Sequence, residues 1–207
     1  MLRFLKSLSR TVHEERFQEP SNSGGDGEPT SLTVWRKSLF VGCSGFTVIN
    51  SNGELVYRVD NYGGCRRQEL ELMDAAGKPI LTVSRSKKLN MVDSWLVFEG
   101  EISTKMQEPI FRARKHVDIL SPKVKRLARV YQEPYNNSTG YVIEGSYTNR
   151  SCKVLDESRN VVAEIRRKET DTKGVSFGLD VFMLTVNQGF DCGLAMSIVL
   201  LLDQMFL

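Results

Sequence analysis

The residues of this sequence best suited to binding chemistry are lysines and arginines that gather in one segment. Residues 112–129 contain seven basic side chains and one acid, Asp118. If the segment begins as a β-strand, Arg112 and Arg114 lie on the same outward face, about 7 Å apart. Arginine binds phosphate oxygens through two parallel N–H donors, and lysine adds a point charge. The pattern therefore predicts a site for an anionic head group that carries more than one phosphate.

Two further basic clusters, at residues 85–88 and 166–168, support the same interpretation. The residues predicted to bind lipid or phosphate are Arg85, Lys87, Lys88, Arg112, Arg114 and Lys115. The alternative is that each cluster is a solvated strand edge, where lysines prevent one sheet from pairing with another. Both interpretations remain open from the sequence alone.

The sequence offers little material for catalysis. It contains two histidines, His13 and His116, which is too few for a histidine metal cluster, and neither lies in a setting that suggests a catalytic triad. The glycine-rich residues 24–27 are not followed by the lysine of a phosphate-binding loop. The net charge of +3 is too small to make nucleic acid the expected partner. We therefore predict a non-enzymatic protein with no metal and no cofactor.

The most apolar stretch lies near the C-terminus, where eleven uncharged residues separate Asp191 from Asp203. As a helix, this stretch would present apolar side chains on every side, so it must be surrounded. A membrane span requires roughly 20 apolar residues. We therefore predict no transmembrane span but a helix buried in protein, with Asp191 as its N-cap. A C-terminal membrane anchor and a partner-binding helix are the alternatives.

A sequence unit that occurs three times indicates β-hairpins. The three copies span residues 48–57, 72–81 and 154–163. Their equivalent turn residues are Asn50, Asp74 and Asp156. An Asx side chain bonds nearby backbone at the start of a turn, and Gly53 and Gly77 supply the positive φ that a tight turn requires. Arg159 stands in place of glycine in the third copy, so we expect a different type of turn there.

The number of strands suggests how the helix is buried. Hairpins between Val34 and Val186 amount to ten to twelve strands, followed by the single apolar helix. A closed barrel leaves no open edges and covers a helix on all sides, which an open sheet cannot do. We therefore predict a mainly β fold, a closed antiparallel β-barrel of about twelve strands that encloses the C-terminal helix. An α+β sandwich with the helix under one face is the alternative.

The domain boundary is predicted from composition. Residues 1–31 form a tail and linker, and residues 32–207 form the barrel domain. Residues 1–16 place apolar and basic side chains on different sides of a short helix, which is typical of a membrane-surface helix or a targeting segment, and a disordered tail is the alternative. The four cysteines lack metal-ligand spacing and no signal peptide is visible, so we expect a cytoplasmic or nuclear protein.

Several segments of the sequence resemble the plant LURP-one-related family. These segments are residues 32–39, 45–48, 57–62, 72–79, 95–100 and 189–203. The resemblance covers residues 32–207 and implies a twelve-stranded barrel around a C-terminal helix, the fold of tubby C-terminal domains and phospholipid scramblases. Phosphoinositide binding, membrane association and defence against pathogens are properties found among those groups, and the resemblance alone does not transfer them to sites in this chain.

Two functional hypotheses follow. The first is a binding module that docks on an anionic phospholipid or phosphoinositide membrane through its basic clusters, at the periphery of the plasma membrane. The second is a protein-interaction scaffold without lipid specificity, for which a role in defence is one option. The predicted location is cytoplasmic, at the periphery of the plasma membrane or nuclear. A third, a carrier of a small apolar ligand, is disfavoured because the helix should fill the barrel.

Overall fold

The computed structural model describes residues 27–61, 69–86, 94–104, 106–116, 125–133, 140–169 and 177–207. The elements are β1 (Thr30–Trp35), β2 (Ser44–Ile49), β3 (Leu55–Asn61), β4 (Glu69–Asp74), β5 (Pro79–Ser86), β6 (Ser94–Glu99), β7 (Phe111–Lys115), β8 (Arg126–Gln132), β9 (Tyr141–Ser146), β10 (Ser151–Leu155), β11 (Val161–Arg167), β12 (Val181–Val186) and α1 (Cys192–Phe206). The predictions for residues 1–16, and those for Lys87 and Lys88, fall outside the described residues.

The twelve strands form one closed antiparallel barrel. Each strand pairs with its neighbours in sequence, and β12 closes the sheet on β1 from Thr30–Val186 to Trp35–Val181. Alternating side chains explain which face turns inward: in β12, Phe182 and Leu184 are buried, whereas Met183 between them is less buried. The predicted barrel is therefore confirmed, and the sandwich alternative is wrong.

Helix α1 lies inside the barrel, as its uniform hydrophobicity predicts. Ile198, Val199 and Leu200 are all completely buried although they point in different directions around the helix. Asp191 is the N-cap, and its Oδ1 accepts a hydrogen bond from the Leu194 amide at 2.6 Å. None of the helices in the described part of the chain is long and apolar enough to cross a bilayer. Because α1 occupies the lumen, the structure also disfavours a ligand-carrying barrel.

The three repeated units are hairpins that share one turn. In each, the backbone amide of the Asx residue donates a hydrogen bond to the carbonyl four residues later. The carbonyl of the Asx residue accepts a hydrogen bond from the amide three residues later. The register shifts by one residue beside each turn, which is the pattern of a glycine-type bulge. Arg159 adopts a φ of 69°, close to the 83° of Gly53. The expected difference in turn type is therefore wrong: Arg159 adopts the positive φ of the shared turn, and its side chain donates hydrogen bonds to Glu144.

The two ends of α1 lie at opposite ends of the barrel, and the antiparallel strand order identifies the loops at each end. The last residue of β7, Lys115, contacts the Met205 carbonyl, and Arg36, just after β1, pairs with Asp203. Loop 36–43, turn 147–150 and residues 177–180 therefore lie at the end of the barrel where α1 finishes. We call this end the C-terminal rim.

Buried ionisable groups predict that the barrel loses stability at high pH. Burial raises the pKa of the Cys152 thiol to about 12, and it also raises the pKa of the Tyr147 hydroxyl above its usual value. In the unfolded chain these groups ionise near pH 9 and 10, so the stabilisation is complete below pH 9 and is lost as the pH rises toward 12. We expect Cys152 alone to lower the free energy of unfolding by up to about 1.4 kcal/mol for each pH unit above 9.

Urea unfolding of the protein at several pH values between 8 and 10.5 measures this loss. The matched control is Cys152→Ala, which should show a shallower dependence on pH because the titrating thiol is absent. Identical slopes for the two proteins would contradict the prediction.

Candidate anion-binding site

A basic pocket with a volume of about 220 Å³ opens where β7 and β8 approach the C-terminal rim. Its lining residues are Arg114, Lys115, His116, Arg129 and Tyr131. The pocket forms because the side chains of β7 alternate: Ala113 is buried and Arg114 is exposed on the outer wall, as the sequence predicts. None of the described residues that line it is acidic, so the positive charge of the pocket is not neutralised from within.

Arg114 and Arg129 are direct neighbours across the β7–β8 pair. Like charges placed directly opposite each other are destabilising in a sheet. The Arg129 Nε atom is buried, and no described residue accepts a hydrogen bond from it. A buried donor without a partner costs about 1–3 kcal/mol. An anion bound between the two guanidinium groups would offset the repulsion between them.

Tyr131 and Lys115 complete the pocket in different ways. The Arg114 guanidinium carbon lies 5.9 Å from the centre of the Tyr131 ring, which favours one orientation of the arginine. The Lys115 Nζ donates to the Met205 carbonyl at 3.1 Å and lies 4.4 Å from the centre of the Phe206 ring. This positive charge stabilises the C-terminal end of α1 through the helix dipole. Lys115 therefore links the pocket to the enclosed helix.

The structure brings together some of the sequence-predicted site residues and separates others. Arg114 and Lys115 line the pocket, whereas Arg112 binds Glu133, with Nε 2.6 Å from Oε1. Arg85 lies on β5, two strands from β7, with its guanidinium carbon 5.5 Å from the centre of the Trp95 ring. Lys87 and Lys88 lie outside the described residues. The role of all six residues in binding stays a prediction.

The third basic cluster is engaged in contacts within the barrel. Arg166 pairs with Glu164 at 2.5 Å, and Arg167 donates to the Asn149 carbonyl at 3.0 Å. Lys168 donates to the Thr33 hydroxyl at 2.9 Å. These contacts support the neighbouring strands and give this cluster less free charge than the pocket on β7 and β8.

Sequence reasoning did not assign Arg129, Tyr131 or His116 to the site. Arg129 belongs to the basic run, but its position opposite Arg114 depends on the β7–β8 register. Arg129 and Tyr131 are two residues apart, so both face the outer wall of β8 beside β7. That spacing is the signal that could have identified them.

The arrangement is suited to binding an anion. Two guanidinium groups and one ammonium group supply N–H donors for the oxygens of a phosphate, with Tyr131 beside them. Among the residues that the structure describes, no group of three or more histidines, cysteines, aspartates or glutamates could hold a metal ion.

Comparison with known proteins places the chain among relatives of matching length. The family model described as LURP-one-related matches residues 30–203. Protein LURP-one-related 17 of Arabidopsis thaliana is 50% identical over an alignment 220 residues long, and this alignment covers 100% of both chains. Protein LURP-one-related 8 of the same plant is 51% identical over 177 residues, covering 84% of this chain and 86% of the relative. The names of these relatives state no enzymatic activity.

A solved structure supports the same fold. The X-ray structure of a protein from Arabidopsis thaliana matches with a TM-score of 0.62 and 22% sequence identity, covering 86% of this chain and 91% of the other. At this identity the likeness supports the barrel architecture alone. The family match spans all twelve strands and most of α1, and together with the full-length relative it leads to one conclusion: the chain belongs to the LURP-one-related family.

Proposed function

We propose that this protein is a non-enzymatic binding module that docks on anionic, phosphate-bearing membrane lipids through the basic pocket of β7 and β8. The observation that carries the proposal is the pair of opposed arginines, Arg114 and Arg129, which line one pocket with Lys115 and with no acidic residue among the described lining. A phosphate group is the ligand that such a pair fits, because it carries negative charge and several acceptor oxygens.

The strength of the interaction suits reversible attachment. A lysine or arginine near an anionic leaflet contributes about 1 kcal/mol, so the three cations of the pocket act together. A head group with more than one phosphate would contact Arg114 and Arg129 at once. The cytoplasmic leaflet carries anionic lipids, so the location that fits this function is the cytoplasmic periphery of a membrane.

The experiment that tests the pocket uses a soluble head group, inositol trisphosphate, and the full chain. We expect the Arg129 Nε–Hε resonance to shift when the head group is added, because a phosphate bound in the pocket changes the environment of the Arg129 guanidinium group. Loss of that resonance in Arg129→Lys assigns the signal. Arg159 is the internal control, because it already pairs with Glu144 on another part of the barrel and should not shift.

The outcomes separate the hypotheses. A shift with inositol trisphosphate but not with inorganic phosphate would support a head group with several phosphates. The same shift with both would support phosphate recognition without selectivity for a lipid. If neither shifts the resonance, the pocket proposal is overturned, and the protein-interaction scaffold, including a defence role, becomes the function to pursue.

A further inference from the structure

The C-terminal rim exposes apolar side chains that a protein in water normally buries. They are Trp35, Leu39, Phe40, Val41, Phe177, Leu179 and Leu207. Val41 is 103% exposed and lies at the tip of loop 36–43. Of the large hydrophobic side chains that are exposed among the described residues, Met106 is the one at the opposite end of the barrel. A concentration of this kind marks an interaction surface.

The charged side chains are also distributed unequally between the two ends. The exposed bases at the C-terminal rim include Lys37, Arg114, Lys115, Lys125, Arg126 and Arg167. The exposed acids at the opposite end include Glu28, Glu54, Glu99, Glu101, Glu108, Glu157 and Asp191. Within the described residues, the exposed acids at the rim are Glu69, Glu169 and Asp180. An anionic surface would therefore attract the rim and repel the opposite end.

Two acids at the rim are neutralised by partners, which leaves its positive charge dominant. Asp203 accepts a hydrogen bond from Arg36 at 2.9 Å, and this bond raises the pKa of the Arg36 guanidinium. Asp60 has a side chain that is 1% exposed, and it accepts a hydrogen bond from the Ser38 hydroxyl. Neither carboxylate presents free negative charge to an approaching surface.

Bases and aromatic rings are paired at this rim. The Lys37 Nζ lies 5.4 Å from the centre of the Trp35 ring, and the Lys168 Nζ lies 5.7 Å from the centre of the Phe177 ring. Side chains with an apolar body next to a cation are suited to the boundary between water and lipid, where the ring enters the apolar layer and the charge meets the head groups.

The strand order fixes the orientation that this surface requires. In the closed order, β7 lies six strands from β1, so the basic pocket and loop 36–43 are on opposite sides of the barrel but at the same end. A flat bilayer touches both only if it meets that end.

We infer that the barrel docks end-on, with loop 36–43 and its neighbouring aromatic residues inserted at the head-group boundary of an anionic bilayer. This inference rests on the proposed membrane function and adds a second contact to the phosphate pocket. Insertion of apolar side chains supplies binding that salt does not screen, whereas the basic residues set the preference for anionic lipid.

The two tryptophans make a direct test feasible with the full chain. Trp35 is 45% exposed at the rim, and Trp95 is 2% exposed in the core. With anionic vesicles that contain brominated acyl chains, we expect quenching of Trp35 fluorescence and none of Trp95. The Trp35→Phe variant assigns the quenched signal.

Matched variants measure the contribution of the loop. Leu39→Ser combined with Val41→Ser should weaken vesicle binding about tenfold, whereas Met106→Ser, which removes an exposed side chain at the opposite end, should leave binding unchanged. Both loop residues are exposed, so these changes should not unfold the barrel.

The outcomes for insertion and for the pocket can be told apart. Vesicle binding without quenching of Trp35, or wild-type binding by the loop variant, overturns insertion, even if inositol trisphosphate shifts the Arg129 resonance. Quenching of Trp35 fluorescence without a shift of the Arg129 resonance supports insertion of the loop. The same result overturns the proposal that the pocket binds the head group. Absence of binding to anionic vesicles at low salt overturns the end-on docking.

Discussion

Replacing Gly145 with alanine is expected to lower the free energy of unfolding by about 3 kcal/mol or more. A Cβ atom at this position would lie 2.1 Å from the Ser151 carbonyl oxygen, which belongs to the paired backbone of β10. The backbone cannot move away without breaking the β9–β10 ladder. The φ of Gly145 is also 118°, a conformation that side chains disfavour. The added Cβ atom therefore meets both a steric clash and an unfavourable backbone conformation, which is why we expect a large loss.

A matched glycine provides the control for this prediction. In Gly140→Ala the new Cβ would lie 3.5 Å from the Val130 carbonyl oxygen, which is an ordinary contact, and no positive φ is involved. Urea unfolding should therefore show a large loss for Gly145→Ala and a small change for Gly140→Ala. Equal stability of the two variants would show that β9 and β10 are not as closely paired as the structure has them.

The sequence was sufficient to predict the architecture because its signals are local and repeated. Asn50, Asp74 and Asp156 mark three turns by their side-chain chemistry alone. The uncharged run after Asp191 requires burial on every side, and this requirement favours closure of the sheet. Arg159 was misjudged because glycine preference is a tendency, and a hydrogen-bonded arginine can adopt a positive φ.

The candidate site was predicted less completely because it depends on contacts across strands. The basic run identifies Arg114 and Lys115, but the sequence does not state that Arg129 faces Arg114. Similarly, Arg112 lies in the same basic run as Arg114 and faces the same side of β7. Only the structure shows that the Arg112 side chain is already paired with Glu133. A cluster of basic residues is visible in the sequence. Whether those residues are paired with acids depends on the register of neighbouring strands.

The apolar surface at the C-terminal rim was also absent from the sequence prediction. Leu39 and Val41 resemble the many hydrophobic residues of nearby strands. Their exposure becomes evident only when β1 is seen to end at Trp35 and β2 to begin at Ser44, which leaves them in a loop. Sequence hydrophobicity does not distinguish a core residue from an exposed one at the end of a barrel.

Arg114→Glu is expected to weaken binding to anionic vesicles on the order of hundredfold. The change removes one attraction of about 1 kcal/mol, adds a repulsion of similar size, and places a carboxylate beside Arg129 that neutralises the second guanidinium. The same carboxylate forms a favourable cross-strand pair with Arg129, so the variant should fold at least as well as the wild type. Loss of binding would therefore not reflect unfolding.

The control is Lys78→Glu, which makes the same change of charge at an exposed turn at the opposite end of the barrel. Its vesicle binding should stay close to wild type. If Lys78→Glu weakened binding as strongly as Arg114→Glu, the net charge of the protein would explain the attachment, and the pocket would not.

Flotation of the full chain with vesicles of neutral lipid, phosphatidylserine or phosphoinositide, at two salt concentrations, is the decisive measurement for membrane docking through the pocket. We predict that wild type and Lys78→Glu float with the phosphoinositide vesicles at low salt and less at high salt, and that Arg114→Glu stays at the bottom of the gradient. Flotation of Arg114→Glu with the same yield and the same salt dependence as wild type would contradict the assignment of the site to β7 and β8.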